Sequence, residues 1–309
     1  MAEIAKKNAL VSDELASKFK TEKETPYTRW VKAEGLDIIP SFYVRNLRTV
    51  ALKPWARRGG SAVFLNHDAS RTSNDCYVME IPPGKSLTPH RQLYEDLDFI
   101  FNTKYDFKDR FAGEPDYFSS KGEQKGFLLA TNFVPDAVNI PLITATERGA
   151  GGGHIRFNMA KGSMNSHISQ FPIGTYKKGH AHGPGAHVIV LSGEGFSLMW
   201  PEGEEPQRYA WEVGTLIVPP NMWFHQHFNT GATPARYLAF KHEGVAIRNA
   251  QGVPKAWISR RAGGDQIDYI DEKPEIRRIF AAELAKHGIA PRMDAAYAKE
   301  MAELGVKTA

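Results

Sequence analysis

Two stretches decide how this chain reads. The first is Gly174-Thr-Tyr-Lys-Lys-Gly-His180-Ala-His182-Gly-Pro-Gly-Ala186-His187-Val-Ile-Val-Leu-Ser-Gly193-Glu-Gly195. The second is Gly214-Thr-Leu-Ile-Val-Pro219-Pro220-Asn-Met222-Trp223-Phe-His225-Gln-His227-Phe-Asn229. Both set short runs between Gly, Pro and Asn punctuation, which is the pattern of short strands. Side chains alternate faces along a strand, so His180 and His182 share one face, as do His225 and His227. Two imidazoles on one strand, met by a third from another, can hold a divalent metal from one side.

Outward from these stretches the pattern stays strand-rich. Cys76–Ile81, Leu97–Phe101, His167–Phe171, His187–Leu191, Phe196–Trp200, Thr215–Val218 and Arg236–Phe240 read as strands bounded by turn residues. Many short strands at this spacing make a sandwich or a barrel. Residues 1–43 read as an N-terminal arm. It has a short helix over Ser12–Lys20, breaks at Thr25-Pro26 and Ile39-Pro40, and an apolar set (Trp30, Ile38, Ile39, Phe42) suited to packing on this chain or on a neighbouring subunit. Asn102–Gly126 reads as a polar surface excursion, and the run Gly149–Gly153 as a boundary or flexible connection. Glu275–His287 carries Ile276, Ile279, Phe280 and Leu284 at helical spacing between Pro274 and Gly288, and a second helix is expected over Asp294–Leu304.

Composition narrows the class. The 309 residues are 42% hydrophobic, enough for a substantial core, and the formal net charge is only +4 with scattered basic residues. Nucleic-acid binding is therefore not expected. A single cysteine, Cys76, excludes an internal disulfide and suits a reducing cytoplasm. No apolar run reaches membrane-spanning length, and the first residues lack the apolar core of a signal peptide. The expectation is a cytoplasmic protein without membrane partners that assembles as a homo-oligomer.

The halves repeat. Gly84, His90, Gln92 and Asp96 align at one constant offset with Gly174, His180, His182 and Ala186, and Phe-Val134-Pro135 resembles Ile-Val218-Pro219. On these residues the chain resembles the cupins, whose pattern is Gly-x5-His-x-His-x3-Glu-x6-Gly followed by Gly-x5-Pro-x-Gly-x2-His-x3-Asn. Gly174, His180, His182, Ala186 and Gly193 fill the first motif. Gly214, Pro220, His225 and Asn229 fill the second, with Met222 where Gly is usual. The resemblance implies an all-β fold, a tandem double-stranded β-helix (jelly-roll) bicupin with an N-terminal arm and C-terminal helices. Its parts are a first cupin over 44–153, a second over 154–262 and a helical tail over 263–309. The first copy is degraded, since Gln92 replaces a ligand and Pro141 falls near the third His position.

The second copy departs from the pattern at one point: Ala186 stands where the fourth ligand, Glu, belongs. This resembles the gentisate, salicylate and 1-hydroxy-2-naphthoate dioxygenase group, bicupins with three His on Fe(II) and no Glu. The resemblance implies His180, His182 and His225 as metal ligands, and His227 and Asn229 as residues beside the chemistry. Strand parity turns His187 away from the barrel interior, and a bulge could bring it in as a ligand or a supporting group. Three neutral imidazoles leave the ion its full charge and open positions for an anionic chelating substrate and O2. The expected function is a metal-dependent dioxygenase using Fe(II), with Mn, Zn or Ni as other metals, that cleaves a hydroxylated aromatic or related oxygen-chelating compound. The alternatives are a non-redox metal cupin (isomerase, decarboxylase or lyase) and a non-catalytic small-molecule-binding bicupin. Tyr176, Lys177 and Arg208 are candidates to hold an acidic or phenolic substrate; His154, His167 and His242 flank the barrel, and parity decides whether His167 and His242 line its pocket.

Overall fold

A computed structural model describes residues 25–66, 75–89, 99, 124–130, 134, 136–145, 149–158, 164–183, 185–242 and 247–306. The expected helix at 12–20, the strand at 97–101 apart from residue 99, the excursion up to 123, and His90, Gln92 and Asp96 of the first copy lie outside the described residues. The strands are β1 (Ile38–Ile39), β2 (Tyr43–Val44), β3 (Lys53–Trp55), β4 (Gly60–Leu65), β5 (Cys76–Glu80), β6 (Gln124–Lys125), β7 (Leu128–Ala130) and β8 (Ile143–Ala145) in the first half. In the second half they are β9 (Gly152–Asn158), β10 (Met164–Phe171), β11 (His180–Ala181), β12 (His187–Ser192), β13 (Gly195–Trp200), β14 (Gln207–Trp211), β15 (Leu216–Ile217), β16 (Phe224–Asn229) and β17 (Ala235–His242).

Eight of these make the jelly roll. β15-β12-β17-β10 are neighbours in one sheet, and β11-β16-β13-β14 form the facing sheet. Apart from the β13-β14 hairpin, successive strands cross between the sheets, which is the double-stranded β-helix implied by the sequence motifs. The first sheet extends beyond β10 through β9, β7 and β6, with β8 also on β9, and at its other end takes β2 against β15. The remaining sheet of the described residues is β1-β4-β3, with β5 on β4. Val63 and Leu65 of β4 share a buried cluster with Ile155, Ile168, Ile189, Leu216 and Leu238, so the two halves have a common core. No helix of the described residues is long and apolar enough to cross a membrane.

The arm contains a helix that the sequence reading did not place, and one sequence expectation is corrected. Thr25-Pro26 begins α1 (Pro26–Ala33): Thr25 caps it by accepting from the Thr28 N–H at 3.2 Å, and proline at the first turn loses no hydrogen bond. Its Val31 packs with Trp55 and Phe64, and Tyr27 and Trp30 lie against the same cluster, so the arm covers a sheet of its own chain. The run Gly149–Gly153 opens β9 instead of forming a free connection. A Cβ on Gly152 would sit 2.9 Å from the Ala145 carbonyl oxygen, and one on Gly153 would sit 3.0 Å from Leu142 Cβ, so the glycines serve close strand approach.

The tail forms the helices α2 (Pro274–Lys286) and α3 (Asp294–Glu303). Ile276, Phe280 and Leu284 of α2 bury against Tyr176, Phe196, Leu198 and Phe228 on the outer face of the β11-β16-β13 sheet. Burial of side chains of this size contributes roughly 1.5–3 kcal/mol each. The tail is thus a second layer behind the strands that carry the histidine motifs.

A candidate metal centre and its cavity

Strand β16 separates two jobs by parity. Phe224 and Phe228 face the tail cluster, while His225 and His227 face the interior between the sheets. β11 pairs antiparallel with β16 and places His180 opposite His225. His182 follows two residues on. The ligating atoms of His180, His182 and His225 all lie within 4.8 Å of one another. Ring centroids are 4.2 Å apart for His180 and His225, 4.7 Å for His182 and His225, and 5.5 Å for His180 and His182.

The surrounding backbone fixes how these rings present themselves. His180 Nδ1 lies 3.1 Å from the Lys178 carbonyl oxygen, and His225 Nδ1 lies 3.1 Å from that of Trp223. A carbonyl only accepts, so each Nδ1 carries the proton, and the lone pair of the neutral ring is on Nε2. This is the orientation a metal-ligating imidazole needs from its neighbours. Two further details bring the segments together. Gly185 lies so close to Pro219 that an added Cβ would meet its carbonyl oxygen at 2.0 Å. Met222, at the usual glycine position, adopts φ 61°, and its N–H donates to the His182 carbonyl at 3.0 Å. A non-glycine residue there costs on the order of 1 kcal/mol.

The three histidines open on a cavity of about 390 Å3. Among the described residues that line it there is no Asp or Glu, while Arg156, Lys177, Lys241 and Arg248 all contribute. Ala186, at the Glu position of the motif, lines the wall and offers no donor atom. The three histidines therefore fit a divalent ion: they offer three neutral nitrogen donors with an open side and no acidic fourth ligand in view.

The other sequence candidates are placed as follows. His227 lines the cavity; its Nδ1 hydrogen-bonds Ser197 Oγ at 2.7 Å, and its ring is 5.7 Å from that of His225 and 5.6 Å from that of Tyr237. Asn229 is not brought to the cavity. Its Nδ2 donates to the carbonyls of Thr233 (2.9 Å) and Pro172 (3.1 Å), and its Oδ1 accepts from the Gly231 N–H (3.1 Å), so it braces the turn after β16. That use of the whole amide removes the role beside the chemistry expected from the motif. His187 is outside the group of three. It alternates with Ala186 and Val188, which line the cavity, and shares the face of Ile189 and Leu191 that packs toward the first half. Tyr176 is fully buried on the tail side, where its hydroxyl donates to Glu272 Oε2 at 2.6 Å, and Arg208 pairs with Glu283 at 3.0 Å; neither lines the cavity.

Several wall residues were left open in the sequence, were read only as strand positions, or went unread. His154, His167 and His242 all line the cavity, joined by Tyr237 and Trp257. The period of two gives some of them, since His167, Ser169 and Phe171 alternate inward on β10, and Tyr237, Ala239 and Lys241 on β17. Trp257 and Arg248 come from the loop region after β17, where no period exists to follow.

No protein-family model matches the sequence, and no curated protein matches it. Solved structures overlap it in part. The Lactobacillus farciminis oxalate decarboxylase formate complex is 16% identical over 33% of this chain and 31% of its own, with a TM-score of 0.28. A single-residue variant of the Bacillus subtilis oxalate decarboxylase gives 15%, 35%, 29% and 0.30, and a structure addressing substrate binding and a reaction specificity switch in oxalate decarboxylase gives 15%, 47%, 36% and 0.30. The chain thus spans about a third of the length of the structures it matches. Overlap this slight carries no argument about activity; the sheet order itself, β15-β12-β17-β10 facing β11-β16-β13-β14, is what makes the fold a jelly roll.

Proposed function

We propose that this chain is a metal-dependent enzyme in which His180, His182 and His225 hold a divalent ion, and that it acts on an anionic, oxygen-chelating small molecule. The observation that carries this reading is the convergence of three imidazoles on a cavity whose described lining holds four cations and no carboxylate. The favoured metal is Fe(II) and the favoured reaction is cleavage of the substrate by O2. An all-neutral ligand set leaves room and charge for an anionic chelator, and Fe(II) would supply the one-electron chemistry that lets such a compound react with O2. The chain's own residues do the rest: the apolar walls exclude water, and the cationic lining draws an anion inward.

A second reading, non-redox chemistry with Mn, Zn or Ni, is favoured by a separate observation. His227, Tyr237 and Lys177 put three proton-carrying groups beside the histidines. A decarboxylase, isomerase or lyase must deliver a proton to carbon, and these groups can do so. One experiment separates the two. Protein purified without oxygen is assayed for metal, then offered catechols, salicylates and gentisates in an oxygen electrode and by product analysis. About one iron per chain with oxygen consumed supports the dioxygenase. Metal present, substrate converted and oxygen untouched supports the second reading. A protein that takes up no metal after reconstitution overturns both.

A further inference from the structure

The four cations of the cavity are not equivalent. Arg248 is exposed, and Arg156 and Lys241 are half-buried, whereas Lys177 is 6% exposed. Its backbone is held on the ligand-bearing strand, where the Lys177 N–H donates to the His227 carbonyl at 3.1 Å. Its side chain reaches to the facing sheet, where the ammonium donates to Ser169 Oγ on β10 and to the Tyr237 hydroxyl on β17 at 3.3 Å. The same ammonium lies 5.1 Å from the Tyr237 ring centroid and 5.5 Å from that of Phe171. A flexible ammonium is thereby fixed at one point between the sheets. His227, which touches both Tyr237 and His225 by ring contact, links that point to the three histidines.

We propose that Lys177, positioned by Ser169 and Tyr237, is the specificity-determining residue of the cavity: it binds the carboxylate of a ligand whose apolar body lies along Phe171, Val188, Ala239 and Trp257. The proposal rests on the reading of this cavity as a substrate site beside the three histidines. A cavity of about 390 Å3 is of small-molecule size and far exceeds a two-carbon acid. Its cationic, carboxylate-free described lining selects an anion, and a buried ammonium bonded to an anion makes a stronger hydrogen bond than one between neutral groups. Exposed Arg248 at the rim steers anions inward but does not choose among them.

The test titrates wild type and variants first with Co(II), then with a matched pair, 2-hydroxybenzoate and 2-hydroxybenzyl alcohol, by calorimetry. Wild type is expected to favour the acid by about tenfold to a hundredfold, the range of a hydrogen bond to a charged group. Lys177→Met abolishes the preference while leaving the alcohol's affinity and the Co(II) affinity within about twofold. Lys177→Arg restores part of it, and Arg248→Met leaves it intact. If Lys177→Met does not fold, Lys177→Gln carries the same comparison. A preference that survives loss of Lys177, or a wild type with no preference, overturns the inference. Co(II) uptake with a Lys177-independent preference overturns this inference alone. A Lys177-dependent preference in a protein that takes no Co(II) overturns the metal reading alone.

Discussion

Replacing Glu272 by Gln tests how the tail is locked to the strand that carries His225. The Glu272 carboxyl accepts from the Tyr176 hydroxyl and from Gln226 Nε2, each at 2.6 Å, and its side chain is almost wholly withdrawn from water. Burial pushes its pKa from 4.5 up to about 7, outweighing the two donors and Arg277, which act the other way. The folded protein therefore keeps this proton to about pH 7, whereas the unfolded chain gives it up near pH 4.5. Stability from this group is fully present below 4.5 and is lost as pH rises through 7. At 1.36 kcal/mol per pH unit the whole interval is worth about 3 kcal/mol, most of it between pH 5 and 8. The assay is urea unfolding of wild type and Glu272→Gln at intervals from pH 5 to 8, with fluorescence and circular dichroism required to coincide. The neutral amide has no proton to lose, so the variant should gain on wild type by about 2–3 kcal/mol across the range. Taking the difference between the two proteins cancels the histidines, which titrate in both. A difference that stays constant within about 0.5 kcal/mol from pH 5 to 8 would mean that Glu272 is ionised throughout in the folded protein, and the reasoning fails.

Other outcomes follow from the site. His182→Ala or His225→Ala should weaken divalent-metal binding at least about a hundredfold in a chelator-competition titration, because each removes one of only three donors, whereas His187→Ala should leave it unchanged. Ala186→Glu puts a carboxylate into the cavity wall. Calorimetry should show metal held at least as tightly and anionic ligands bound more than tenfold more weakly, since a like charge about 4 Å away opposes them by several kcal/mol at an effective dielectric of about 20. Asn229→Ala should cost about 1–3 kcal/mol in urea unfolding by stripping donors from the Thr233 and Pro172 carbonyls, with metal affinity intact. If metal binding falls with that substitution and stability does not, Asn229 serves the site and not the turn.

What could be read from the sequence was what a strand's period carries. His180 with His182, and His225 with His227, share faces by parity alone, and the same rule turns His187 outward; all five positions agree with the structure. The strands around them were legible because Gly, Pro and Asn bound each apolar run. What could not be read depends on contacts between distant segments. Lys177 stood in the sequence as one of three equal candidates, and only the approach of β10 and β17 distinguishes it from Tyr176, which is sealed under the tail, and from Arg208, which pairs with Glu283. Asn229 has the parity of a cavity residue, yet the turn that follows consumes its amide.

Strand β16 serves two clients at once. Its odd-numbered histidines face the cavity, His225 within the candidate metal group and His227 beside it, and its even-numbered Phe224, Gln226 and Phe228 serve the tail. One residue inserted between Pro219 and His225 would exchange the two sets, driving imidazoles into an oily seam and phenyl rings into the cavity. The spacing of that short segment is therefore as constrained as the identity of the ligands, and the C-terminal helices act as the gauge that enforces it.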